Sequence, residues 1–206
     1  MREIFAVIVF LAALTTSQND VPPDPFGDNT TVAFGGRLVE TWRTVRGELA
    51  GDHALLGACV DSTTAKCAQA RALWRIIDDA KQQHGLAVIG HINRAINFSI
   101  VPFEPSEWLT ALDAMNGAAD CQGYATAKYF ALREAGIPAE RVRLVIVQQR
   151  GHVEDHMVTA VWNDGIWLIL DNGTLATVPD TQTKYMPLFV LDDDGVRRYI
   201  AAPSVS

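Results

Sequence analysis

The chain is short of positive charge. It has 17 Lys and Arg against 24 Asp and Glu, for a formal net charge of −7. Phosphate backbones are bound by basic faces, so a nucleic-acid partner is not expected. Long apolar runs are also scarce, and beyond the first residues no segment could span a bilayer. The three cysteines show no C-x-x-C spacing, and no histidine pair stands at zinc-ligand spacing with them, which argues against a structural metal. There is no internal repeat and no low-complexity tract. At 49% hydrophobic over 206 residues, the composition suits one domain with a real core.

The N-terminus reads "MREIFAVIVFLAALTTSQ": one early arginine, an apolar run from Ile4 to Leu14, then small polar residues. This is the shape of a secretory signal peptide, expected over residues 1–17, and the run is short for a membrane span. An uncleaved N-terminal anchor is the alternative. On either reading the domain is exported, with the periplasm as its expected compartment. In an oxidising compartment an odd cysteine count leaves one thiol over. Cys59 and Cys67 flank a loop-like stretch and are expected to pair, so the leftover is Cys121.

Residues 18–35, rich in Pro, Asp and Asn, read as an extended lead-in with no element of its own, and the domain is expected over 36–206. Leu38, Trp42, Val45 and Leu49 recur at helical steps. A second helix is predicted from Thr64 to about His84, stopped by Gly85, and a third over 86–100, interrupted by Gly90. Ser106 is expected to cap a short helix carrying Trp108, Leu109 and Leu112. Cys121, Ala125, Tyr129 and Leu132 share one helical face, with Asp120 as N-cap, Gly136 as stop and Pro138 beyond it. The period then changes. Strands are predicted in "RVRLVIVQQ", "HMVTAVW", "IWLILDN", "PLFVL" and "VRRYI", with hairpin turns at "NDG" and "DDDG". Helices first and an antiparallel sheet later make an α+β fold.

Cys121 thus sits at a helix start, where free N–H groups and the macrodipole stabilise a thiolate. Among the five histidines, His156 opens the first strand of the NDG hairpin, whereas His152 lies in a Gly-led loop and is expected to face solvent. If Asp164-Gly165 is a two-residue turn, Val158 faces Asp171, and His156 and Asp171 share a face one diagonal step apart. A carboxylate there would orient the imidazole and steady its charged form. A turn one residue longer would put Asn172 on that face instead, and both registers are open at this level.

The blocks "INRAINFSI", "ADCQGYATAKYFALREAGIP", "DHMVTAVW" and "WLILDN" together resemble the bacterial transglutaminase-like cysteine peptidases, a family that includes periplasmic LapG-type adhesin proteases. The resemblance runs from about Cys59 to Asn172. It implies a papain-like fold and a Cys-His-Asp triad, with Cys121 as nucleophile, His156 as base and Asp171 as orienting acid. Asn97, Trp108 and Asn172 are candidate oxyanion or orienting residues beside the N–H of Cys121. The LapG-type motif is Asp-Cys-Glu-Asp, and the resemblance implies that its acids bind calcium. Here Gln122 and Gly123 replace two of them, leaving Asp120 as a lone candidate ligand, and no cofactor is required. The expected substrate is an exported or surface protein, and a membrane-associated regulator is implied by the resemblance alone. The expected reaction is hydrolysis of a peptide bond through an acyl-enzyme. An acyltransferase or deamidase with the same triad, or a silent binding module on the same fold, are the alternatives.

Overall fold

The structure, a computed structural model, describes residues 21–27, 29–105, 107–149 and 154–200. The expected signal peptide, the start of the lead-in, Ser106 and His152 lie outside the described residues. Five helices are described: α1 (Arg37–Cys59), α2 (Ala68–Lys81), α3 (Leu86–Ser99), α4 (Ala111–Ala114) and α5 (Cys121–Glu134). The described strands are β1 (Thr30–Val32), β2 (Val101–Pro102), β3 (Ala118–Ala119), β4 (Val142–Gln149), β5 (Asp155–Asn163), β6 (Ile166–Leu170), β7 (Thr177–Pro179), β8 (Tyr185–Asp192) and β9 (Gly195–Tyr199). Seven of them form an antiparallel sheet in the order β1-β9-β8-β4-β5-β6-β7. The short β2 and β3 pair in parallel just ahead of α5.

The helix α5 is buried on nearly all sides from Gly123 to Leu132, as its apolar sequence requires of a helix lodged between a sheet and other helices. One face of the sheet gives Leu144, Met157, Val161 and Leu170 to the core that α5 shares with α1 to α4. The alternate residues, Val145, Val158, Trp167 and Ile169, form a second core on the opposite face. This period of two lets one sheet serve two layers.

The second layer is covered in part by the lead-in. The Trp167 indole N–H donates to Pro23 O at 2.8 Å, and the Tyr199 hydroxyl donates to Pro25 O at 2.8 Å. The Arg197 guanidinium clasps both oxygens of Asp24, at 3.0 and 2.7 Å. The reading of 18–35 as lacking an element therefore needs correction, since Thr30–Val32 is the edge strand β1, paired with β9. The pairing partner is more than 160 residues away in sequence, so no local pattern announces it.

Other boundaries moved for local reasons. The expected helix around Trp108 begins only at Ala111, because Thr110 accepts the Asp113 N–H and Trp108 and Leu109 precede the first turn. The strand read as "PLFVL" starts earlier, at Tyr185, with a register shift opposite Ile146 and Val147 that accommodates Pro187. Cys59 at the end of α1 and Cys67 just before α2 are joined by a disulfide. No helix of the described residues is long and apolar enough to cross a membrane.

Candidate active site

Cys121 is the first residue of α5. Its neighbour Asp120 has extended backbone, and its Oδ1 accepts the Gly123 N–H at 3.0 Å. That cap satisfies one first-turn donor, and the Tyr124 N–H goes to Asp120 O at 3.1 Å. The N–H groups of Cys121 and Gln122 come earlier in the turn and have no helical acceptor. Gly123 is a glycine for reasons of space, since a Cβ there would stand 2.6 Å from the Ala119 Cβ. Cys121 is free and only partly buried.

His156 is the second residue of β5. The turn at Asp164 and Gly165 has positive φ at both positions, and Asn163 faces Ile166. This is the two-residue form. Continued one step past β6, the register sets Asp171 opposite Val158. His156 Nε2 lies 3.0 Å from Asp171 Oδ1. The Cys121 thiol stands near enough to the ring to favour its protonated form. With Nε2 on the carboxylate, Nδ1 is the nitrogen left for the sulfur. Burial alone would favour a neutral ring, but the hydrogen bond to Asp171 and then the Cys121 thiol, with the charge of both, outweigh it and push His156 up to about 9.

Asp171 is held from several sides. Its Oδ1 also accepts the Gly173 N–H at 2.9 Å, and its Oδ2 accepts the Tyr185 hydroxyl. Burial works against the anion, yet these bonds and the His156 ring hold its carboxyl well below the usual range. Burial and the neighbouring carboxylate raise Tyr185 far above an ordinary phenol. From α3, the Asn97 amide donates to Asp171 O and Thr174 O, both at 2.9 Å, and Asn93 donates to Thr174 O at 3.3 Å. The segment that carries Asp171 is thus pinned to a helix.

The cleft lined by His156, Asp171, Tyr185 and Glu154 has a volume of about 310 Å³. A groove of about 560 Å³, lined by Trp108, Asp120, Gln122 and Arg37, flanks Cys121 on both sides in sequence. A partly exposed thiol, a ring nitrogen and a carboxylate beside open clefts are the parts of nucleophilic acyl chemistry.

The sequence description "bacterial transglutaminase-like cysteine proteinase" matches residues 56–194 of the chain. The chain belongs to that family. The proteinase has an α+β transglutaminase-like fold. It is similar to Legionella pneumophila LapG at 17% identity and a TM-score of 0.61, over 73% of this chain and 87% of that one. It is also similar to the calcium-bound form of the same Legionella protein at 17% identity and a TM-score of 0.58, over 81% of this chain and 93% of that one. No curated protein matches it.

Calcium does not fit the residues of this proteinase. One oxygen of Asp120 is occupied by the Gly123 N–H, Gln122 is neutral, and Gly123 has neither a side chain nor room for one. Among the described residues no three His, Cys, Asp or Glu side chains come together as a metal site. A calcium ion demands six or more oxygens, several of them charged.

Trp108 cannot lend its N–H to an oxyanion, because it donates to Thr126 Oγ1 at 2.7 Å while the ring stacks 5.8 Å from Trp42. The Asn97 amide donates to Asp171 O and Thr174 O, so of its two expected roles it is the orienting one that these bonds suit. Asn172 is not the residue at the imidazole, since the two-residue turn gives that position to Asp171. Sequence reasoning missed Tyr185. It follows Asp171 by 14 residues and reaches it from β8, beyond β4 and β5, so no spacing rule points to it.

Proposed function

We propose that the proteinase is exported and cleaves a peptide bond of a protein substrate through Cys121, His156 and Asp171. The observation that carries this reading is a single imidazole hydrogen-bonded to a largely buried carboxylate, with a helix-start thiol near enough to favour its charged form. His156 takes the thiol proton, and the thiolate attacks the scissile carbonyl carbon. The carbonyl oxygen becomes an oxyanion facing the free first-turn N–H groups of Cys121 and Gln122. The imidazolium gives its proton to the leaving amine as the C–N bond breaks, which leaves a thioester on Cys121. Water, deprotonated by His156, then attacks the thioester and releases the acid. Asp171 stays ionised throughout and keeps the ring in position.

Export is supported by the signal-like N-terminus and by the Cys59–Cys67 disulfide, a bond that persists in oxidising compartments. The substrate class follows from the family, whose members are proteinases. The test compares exported and surface proteins of cells carrying the wild-type chain or Cys121→Ala, by mass spectrometry of termini. A new N-terminus present only with the wild type is expected. Identical termini across growth conditions, or cross-links and released ammonia in their place, would overturn hydrolysis as the reaction.

A further inference from the structure

The proposed mechanism leaves the buried cation of Lys128 unused. Lys128 lies seven residues after Cys121 on the same face of α5, about 10 Å along the axis. Helical side chains lean back toward the N-terminus. Accordingly its Nζ lies 5.9 Å from the centre of the Tyr124 ring, one turn nearer the thiol. Its relative exposure is 0%, and Nζ has no hydrogen-bond partner. An unpaired ammonium is among the costliest groups to bury, and a methionine of similar volume would pack there without that penalty. Packing alone does not account for a lysine at this position.

The sheet brings one charge to this part of α5: Thr159 Oγ1 donates to Ala125 O at 2.9 Å, three residues before Lys128, and Thr159 pairs with Leu170, the residue before Asp171. Burial drives the Lys128 proton off, and the field of Asp171 is what opposes that. Asp171 is itself largely desolvated, with a side chain only 13% exposed. Its other partners are the Gly173 N–H, the Tyr185 hydroxyl and the His156 ring. Of these only His156 carries charge, and in the proposed cycle that charge comes and goes. On α3, Asn93 and Asn97 face the same segment as neutral amides.

We propose that Lys128 is a positioning residue whose buried ammonium acts through Asp171, keeping the carboxylate ionised and directed at His156 while the ring changes charge. This inference rests on the triad reading above. Lys128 is brought down to about 7, so it is a cation throughout the acid range. The titratable groups that bear on it are Tyr124 on its own helix, Asp171 just after β6 and, through its bond to Asp171, His156 on β5.

The experiment is alkylation of the full chain by iodoacetamide between about pH 3 and 9. Because Cys59 and Cys67 are paired, only Cys121 reacts. Wild type, Lys128→Met and Lys128→Gln are compared, with thermal melting to show that each is folded. Removing a nearby cation makes both anions harder to form. The pH of half-maximal alkylation should therefore rise by about one unit, roughly tenfold in rate on the acid limb, while the melting temperature holds or rises. A folded variant with the wild-type midpoint overturns the proposal, because a purely packing role would not leave a chemical trace. If neither variant folds, the Lys128 ε-methylene resonance decides in wild type and Asp171→Asn. A lower midpoint in Asp171→Asn supports the proposal, and an equal midpoint overturns it. Failure of the triad reading is seen separately, as wild-type alkylation indifferent to His156→Ala, and Lys128 loses its role with it.

Discussion

Replacing Asp171 by asparagine removes a charge while keeping the shape of the side chain. In the native protein His156 is carried from its ordinary 6.5 to about 9, against the pull of burial. The hydrogen bond to Asp171 comes first among the influences that raise it, and the Asp171 charge adds to it. Without them, burial is opposed only by Cys121. The His156 midpoint should fall by about 2 pH units, a loss of roughly 3 kcal/mol in the free energy of holding the ring proton. The fold should follow with a definite sign. The folded value lies above the unfolded one, so the stability contributed by His156 is complete below about 6.5 and lost as pH rises through about 9. Asp171→Asn should flatten that dependence. The assay is a histidine NMR titration, run beside thermal melts at pH 6 and pH 9.5. A His156 midpoint within half a unit of the parent would refute the reasoning.

Tyr185→Phe removes one hydrogen bond from Asp171 Oδ2 and leaves the charge in place. It should slow Cys121 alkylation by a few-fold and lower the His156 midpoint by less than one unit, read by the same titration. Gly123→Ala forces a Cβ to 2.6 Å from that of Ala119, and overpacking of this kind should cost about 1–3 kcal/mol in denaturant unfolding. Removing the disulfide with Cys59→Ala and Cys67→Ala frees a short loop, for an expected loss of about 2–3 kcal/mol in the same assay. It should leave the alkylation midpoint unchanged, since neither cysteine contacts the described triad atoms.

The parts of this molecule that were legible in the sequence are those set by rules acting over a few residues. Asp120 ahead of a small-residue helical pattern marks a helix start, and the start is where Cys121 stands. "NDG" between alternating residues marks a tight hairpin, and its register brings His156 and Asp171 together. Where two turn lengths were open, the backbone took the one with both central residues at positive φ. What stayed hidden depends on distant neighbours. β1 is a strand because β9 offers it an edge. Tyr185 meets Asp171 across several strands. Nothing in the local sequence singles out Lys128, and its burial follows only from the enclosure of α5 on nearly all sides. Trp108 looked like a spare donor, and only the placement of Thr126 opposite its indole shows that the donor is occupied.

The central claim is that His156 activates the thiol of Cys121. The most direct measurement is the rate of Cys121 alkylation as a function of pH in wild type and in His156→Ala. The claim predicts that Cys121 is alkylated faster in wild type than in His156→Ala, with a pH dependence that follows the imidazole and is lost in the variant. Superimposable profiles for the two proteins would contradict it.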